Sequence, residues 1–231
     1  MNTDKVILRK KLDELVDVAS CFKKLSGIDV NNVPEKYGDD VTDAQKIILE
    51  SAEIVMIYKV SDIESVGDTE VILAEGVKFT GEMPPKILAD SKQVISCLIT
   101  LHRYEEAVAK SDNMMIQYFL DAWGSSYVEC AQAWLGRYLK DELAKEGFSK
   151  THMWSPGQHH FELQNQRTIF DLLKPEEVGC TLTKNYMMIP VKSGSGIWGI
   201  VDKDVNSVLL PCDFCSFGMI CPVSKRGCLL I

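Results

Sequence analysis

Residues 154–200, WSPGQHHFELQNQRTIFDLLKPEEVGCTLTKNYMMIPVKSGSGIWGI, carry the signals that decide the fold. Pro156-Gly157 sets a tight turn, apolar spacing predicts a helix over Asn165 to Leu173, and strand signals follow at Cys180 to Thr183, Tyr186 to Ile189 and Ile197 to Val201. Helix and strands succeed one another without a βαβ rhythm. The expected class is therefore α+β, a twisted and mostly antiparallel sheet flanked by helices, rather than a doubly wound parallel sheet.

The same mixture extends upstream. Residues 4–25 place Leu8, Leu12, Leu15, Val16, Ala19 and Phe22 at helical spacing, which predicts an opening helix that ends near Ser26-Gly27. A polar loop leads to a second helix from about Ala44 to Ala52. Strands are predicted at 54–60, 71–73, 77–80 and, from its continuous apolar character, 93–101, with a short helix starting at Pro84-Pro85. The longest helical pattern runs from about Asp112 to Lys145, with small residues at Gly124-Ser125-Ser126 and Gly136 that permit close approach or a kink. No repeat or Pro/Ser-rich linker divides the chain. It reads as one domain over 1–205, with a helical part over about 1–50, and a cysteine-rich tail over 206–231.

The chain has 231 residues, 46% of them apolar, and a formal charge of −8. That composition is ordinary for a globular protein with a real core. The acidic balance and the lack of any basic run longer than Arg9-Lys10-Lys11 argue against nucleic acid as a partner. No stretch reaches the roughly 20 apolar residues of a membrane helix, and the start has no signal-peptide core, so a cytoplasmic setting is expected.

Two loops offer chemistry. Ser155, Pro156, Gly157 and Gln158 form a turn that would bring bare backbone amides toward a ligand, with His159 and His160 beside it. Lys192, Ser193, Gly194, Ser195 and Gly196 read as a hairpin tip that offers hydroxyls and unhindered N–H groups to an anion or carboxylate. A plain β-turn is the competing reading. The patterns GxxxxGK[ST], GxSxG, HExxH and GxGxxG are all absent, which removes the usual support for nucleotide triphosphatase, serine hydrolase, zinc protease and dinucleotide readings.

Taken in order, these stretches resemble a known family. The Pro-Gly loop, a helix ending in Leu172-Leu173, the Gly179-Cys-Thr-Leu-Thr183 strand and the Pro190-Val-Lys-Ser-Gly-Ser-Gly196 turn are similar to the reactivation (activation) domain of vitamin B12-dependent methionine synthase. Leu120-Asp-Ala-Trp-Gly-Ser-Ser-Tyr-Val-Glu129 resembles the Asp-Ala-x-Gly-Ser-x-x-x-Glu helix of free-standing members, which makes Asp121 and Glu129 acidic site candidates. The resemblance implies an α+β domain that docks on a corrinoid-binding methyltransferase or methionine synthase, binds S-adenosylmethionine and supports reduction of cob(II)alamin to cob(I)alamin. Cobalamin would be carried by the partner, and a separate electron-donor protein could take part. In the family an arginine precedes the Pro-Gly loop and a tyrosine follows it, and both help hold the methyl donor. Met153 and Gln158 stand at those positions here, so a charge-assisted contact to a carboxylate is lost, with Lys192 or His152 as compensating cations.

Eight cysteines fall into two populations. Cys21, Cys97, Cys130 and Cys180 lie singly in apolar periodic segments and read as core thiols. Cys212, Cys215, Cys221 and Cys228 crowd into the last twenty residues and read as metal ligands. The spacing fits neither paired zinc knuckles nor a ferredoxin run, but low-potential one-electron chemistry favours an iron–sulfur centre, [4Fe–4S], over zinc. The alternative is a non-catalytic binding module whose tail is stapled by zinc.

Overall fold

The computed structural model describes residues 3–204 and 209–215. In chain order the elements are β1 (Val6–Lys10), α1 (Val18–Ser26), α2 (Gly38–Ser51), β2 (Glu53–Val66), β3 (Glu70–Leu73), β4 (Lys78–Thr80), α3 (Met83–Ile87), β5 (Gln93–His102), α4 (Tyr104–Val108), α5 (Met114–Lys145), β6 (Phe148–Lys150), α6 (Asn165–Leu173), β7 (Thr181–Leu182), β8 (Met188–Ile189) and β9 (Ser193–Asp202), with short 3₁₀ turns between some of them. Every strand pairing among the described residues is antiparallel, and the main sheet runs β4-β3-β2-β5-β9-β6. β5 lies along one edge of β2. β1 and β3 divide the other edge end to end, β1 opposite Ile54 to Tyr58 and β3 opposite Ile63 to Val66, across a register shift between Ile63 and Ser65.

Strand alternation sorts the core into two layers. On one face Ile54, Met56, Tyr58, Ile95, Cys97, Ile99, Trp198 and Ile200 meet α1, α2 and α5; on the other Val55, Ile57, Val94, Leu98 and Ile197 meet α3 and α6. The sheet is thus buried on both sides, which is why the 93–101 segment has no polar face. Fully buried Phe22 stacks on Trp123 with ring centroids 3.9 Å apart and fixes α1 against α5. Burial of rings of this size stabilises the fold by about 1.5–3 kcal/mol each. Asn113 caps α5, its side-chain oxygen accepting from the amides of Met115 and Ile116, slightly later than the Ser111-Asp112 start read from the sequence.

Three sequence expectations are corrected here. The first part of the predicted opening helix is strand β1: Val6, Leu8 and Lys10 are half-buried while Ile7 and Arg9 are exposed, a period of two. The open edge of β2 supplies backbone partners that outweigh a weak helical pattern. The segment after Gly147, where no strand is predicted, contains β6. The supposed hairpin tip at Ser193 to Gly196 is the first part of β9, in register with Cys97 to Thr100 on β5. Glycine is a poor strand former, but at Gly196 the bare backbone lets Met153 and the Trp154 carbonyl approach closely. No helix among the described residues is long and apolar enough to cross a membrane.

Candidate functional site

The candidate site is a seam between α5 and β9. Starting from Glu129, positions three, four, seven and eleven further on fall on the same side of a helix, so Gln132, Ala133, Gly136 and Lys140 share that side of α5. All five line a cavity of about 210 Å³ whose opposite wall is Lys150, His152, Met153 and Trp198. Sequence reasoning missed Gln132, Lys140 and Lys150. The helical spacing from Glu129 would have found the first two, but Lys150 needed β6.

The backbone explains why His152 and Met153 reach the same cavity although they are adjacent. The Thr151 N–H donates to Gly199 O, and Trp154 and Ile197 exchange both of their backbone bonds. Between those two anchors this segment has two residues, His152 and Met153, where β9 has only Trp198. That is a β-bulge, which re-aims side chains that a regular strand would send to opposite faces. The Lys150 ammonium sits 5.0 Å from the Trp198 ring centroid at the rim.

Gly194 and Gly196 present their bare faces to this seam. A Cβ at Gly196 would lie 2.6 Å from Met153 Cε and 2.7 Å from the Trp154 carbonyl oxygen, so Met153 packs directly on the strand. A Cβ at Gly194 would meet Gln132 and Val128 only at 3.8 Å. Because Ile197 turns both backbone groups toward Trp154, those of Ser195 point to the same edge. Among the described residues no strand pairs with that edge over Ser193 to Gly196. Ser195 is itself buried, so this stretch of edge is unpaired by a strand yet shielded from solvent.

Lys192 sits at the other end of the seam. Its Nζ donates to Asp121 Oδ1 at 2.6 Å and to Ser125 Oγ at 2.9 Å, and lies 5.8 Å from the Tyr104 ring centroid. The Lys192 charge is thus already partnered. Burial pushes the Tyr104 phenol up, and the neighbouring Asp121 and Glu105 charges add to it, so it stays protonated.

The remaining candidates lie on the opposite side of the sheet. Ser193 Oγ bonds Thr100 Oγ1 and Pro190 O, both at 2.7 Å, with the Cys180 thiol at 3.9 Å. Burial pushes that thiol up to about 11, against hydrogen bonds from Ser193 and Thr100. The Ser195 hydroxyl is buried without a protein partner. The turn closes through Gly157 N–H to Phe161 O at 2.7 Å, with Gly157 at φ +86° against Leu163. Pro156 is buried, Ser155 half-buried, and Gly157 and Gln158 exposed. Asp121, Glu129, Lys192, Gly194 and Gly196 thus share one seam, whereas Ser193, Ser195 and the 155–158 turn do not open into its cavity.

Phe214 packs edge-on against Trp154, centroids 5.6 Å apart, and His159 lies on the same ring at 6.2 Å. That contact brings the 3₁₀ turn of Cys212 back to the end of the bulged segment. Cys212 and Cys215 are half-buried there, and Cys221 and Cys228 lie outside the described residues. Among the described residues no three His, Cys, Asp or Glu side chains converge as a ligand set.

An α+β sheet with helices on both faces and a seam beside its glycine-bearing strand defines the structural class. In that class the chain is similar to a solved structure, the crystal structure of the MetH reactivation domain bound to AdoHcy, with a TM-score of 0.61 and 13% identity over 88% of this chain and 80% of that one. The two share a fold. No protein-family model matches the sequence, and no curated protein matches it.

Proposed function

We propose that this protein supports the reductive reactivation of a corrinoid cofactor carried by a partner methyltransferase, methionine synthase or a protein of like chemistry. The observation that carries the reading is the meeting of Glu129, Met153, Gly194 and Gly196 on one seam, in a fold shared with a structure described as a reactivation domain bound to AdoHcy. Reactivation adds one electron to cob(II)alamin to give cob(I)alamin, which takes a methyl cation from S-adenosylmethionine and leaves methylcob(III)alamin and S-adenosylhomocysteine.

The seam suits one arm of such a donor. Its cavity is too small for the whole molecule, and the rest would lie along the Gly194 face of β9. With Met153 where the family has arginine, and Lys192 held by Asp121, Lys140, Lys150 and His152 are the basic groups on the cavity wall for a carboxylate. Glu129 is the acidic one and would face a sulfonium. Ser155 to Gln158 and Ser193 to Ser195 would then act through their backbones at the edge, not from the cavity floor.

For the tail we retain Cys212, Cys215, Cys221 and Cys228 as ligands of a [4Fe–4S] cluster, with zinc as the alternative. A cluster would supply electrons at low potential; zinc has no redox function. The packing of Phe214 on Trp154 supports the idea by holding the turn that carries Cys212 and Cys215 against the segment that carries Met153. A cytoplasmic setting accords with this chemistry.

The test mixes anaerobically purified protein with candidate corrinoid proteins in the cob(II) state and follows the cobalt spectrum under reducing conditions, with and without S-adenosylmethionine. Conversion to methylcob(III)alamin only with the methyl donor is expected, together with iron and labile sulfide in the protein. No spectral change with any candidate defeats the reading, and zinc in place of iron then favours a stapled binding module.

A further inference from the structure

Strand β9 and helix α5 run side by side, and alternate residues of the strand face the helix. Lys192, just before the strand, meets Asp121 and Ser125; Gly194 faces Val128 and Gln132; Trp198 shares the cavity with Ala133, Gly136 and Lys140. Gly196 lies between Gly194 and Trp198, and Met153 rests on it, its Cε 2.6 Å and its Cγ 3.0 Å from where a Cβ would stand. The buried thioether therefore divides the strand floor into two compartments, the cavity beside Trp198 and the bare face of Gly194. Gln132, which lines the cavity and also stands over Gly194, flanks the same point from the helix side.

The partition can move, but its support cannot. On one side of Met153 the Thr151 N–H donates to Gly199 O while Thr151 Oγ1 accepts from Gly199 N–H at 2.9 Å; on the other, Trp154 exchanges both backbone bonds with Ile197. Motion at this point is confined to the side chain. Methionine has three rotatable bonds, no branch and no strong hydrogen-bonding group to unpair, so it leaves the glycine by a change of rotamer alone. A β-branched residue here would have little such freedom.

We propose that Met153 is the specificity-determining residue of the seam. With its thioether on Gly196 the seam takes ligands that fit within one compartment. A ligand that occupies both must drive the side chain off the strand, so its apparent affinity is reduced by the fraction of molecules in which that has already happened; a short ligand escapes this factor. The proposal rests on the reading that a methyl donor lies with one arm in the cavity and the rest along Gly194, and it needs no corrinoid protein.

The test is calorimetry on the full-length protein with S-adenosylhomocysteine, which spans both compartments, and with methionine, which fits one. A side chain off the strand in about one molecule in ten gives a tenfold gain when it is removed. Met153→Ala should therefore bind S-adenosylhomocysteine about tenfold more tightly than the parent, and methionine with unchanged affinity. In the unsubstituted protein the nuclear Overhauser contact between the Met153 methyl group and the Gly196 α-protons should be present without ligand and lost at saturation with S-adenosylhomocysteine, which decides the matter even if the variant fails to fold. Equal affinity of parent and variant for S-adenosylhomocysteine, an equal gain for methionine, or a methyl contact that persists with ligand bound overturns the proposal and leaves the reading of the seam in place. Failure of both proteins to bind S-adenosylhomocysteine overturns that reading and the proposal with it.

Discussion

Lys192 bridges from the start of β9 to α5, its ammonium 2.6 Å from Asp121, while its stem packs where a Cβ on Gly124 would lie only 3.0 Å from Lys192 Cγ. Asp121 is largely exposed, so the ion pair itself is worth little, and Asp121→Asn should cost under about 1 kcal/mol. Loss of the stem should matter more: Lys192→Ala should cost about 1–2 kcal/mol, and Lys192→Met should recover most of it. Urea midpoints of the three variants separate charge from packing.

Gly196 and Gly194 face the same seam and should respond unequally to a methyl group. Gly196→Ala forces a carbon against Met153 and against the unyielding Trp154 carbonyl, a cost of about 1–3 kcal/mol. Gly194→Ala has ordinary contact distances and should stay within about 0.5 kcal/mol of the parent. If a ligand lies on the glycine face, Gly194→Ala should weaken S-adenosylhomocysteine binding by calorimetry while thermal unfolding stays unchanged.

Glu75 ties the β3–β4 turn back to β2. Its carboxylate meets Lys59 at 2.7 Å and Ser61 Oγ at 2.8 Å. Partial burial opposes ionisation, but the hydrogen bonds from Lys59 and Ser61 outweigh it and hold the carboxyl below its ordinary value. A folded value below the unfolded one means stability that is fully present above about pH 4.3 and lost as pH falls through the folded value. Glu75→Gln should be less stable than the parent near neutrality, with the difference closing in acid. Urea midpoints taken across that range check it, and a gap that widens in acid contradicts it.

Asn165 does for β4 what another strand would. Its side-chain oxygen accepts from Thr80 N–H at 2.8 Å and its amide donates to Thr80 O at 2.9 Å, while Thr168 Oγ1 donates to Lys78 O at 2.8 Å. Helix α6 thereby covers an edge that would otherwise be open. Asn165→Leu leaves both Thr80 groups without partners and should cost about 2–4 kcal/mol. Native-state hydrogen exchange should show the Thr80 amide losing protection in the variant.

Much of the fold was legible because its signals are local. Asn165 to Leu173 was read from apolar spacing alone and is α6 residue for residue, and the strand signals at 54–60 and 93–101 reflect strands buried on both faces. β1 was not legible, because its pairing with Ile54 to Tyr58 depends on an edge more than forty residues away. Neither was the register of Ser193 to Gly196: Ser-Gly-Ser-Gly has turn chemistry, and only contact with β5, α5 and Met153 makes it a strand. At the site, Asp121, Glu129 and Lys192 were legible as individual residues, but the ion pair that commits Lys192 was not. The bulge that brings His152 beside Met153 has no sequence signature, since it is defined by which backbone groups of the other strand it faces.

Met153 and Trp154 are covalent neighbours on opposite sides of the sheet, one in the cavity wall and the other under Phe214. Nothing flexible separates them, and both backbone groups of Trp154 are fastened to Ile197. Whatever displaces the methionine side chain therefore works through a short, stiff lever on the surface where residues 209–215 are seated. By reciprocity, any free energy by which seam occupancy favours one seating of those residues must reappear, equal in size, as an effect of that seating on the affinity of the seam.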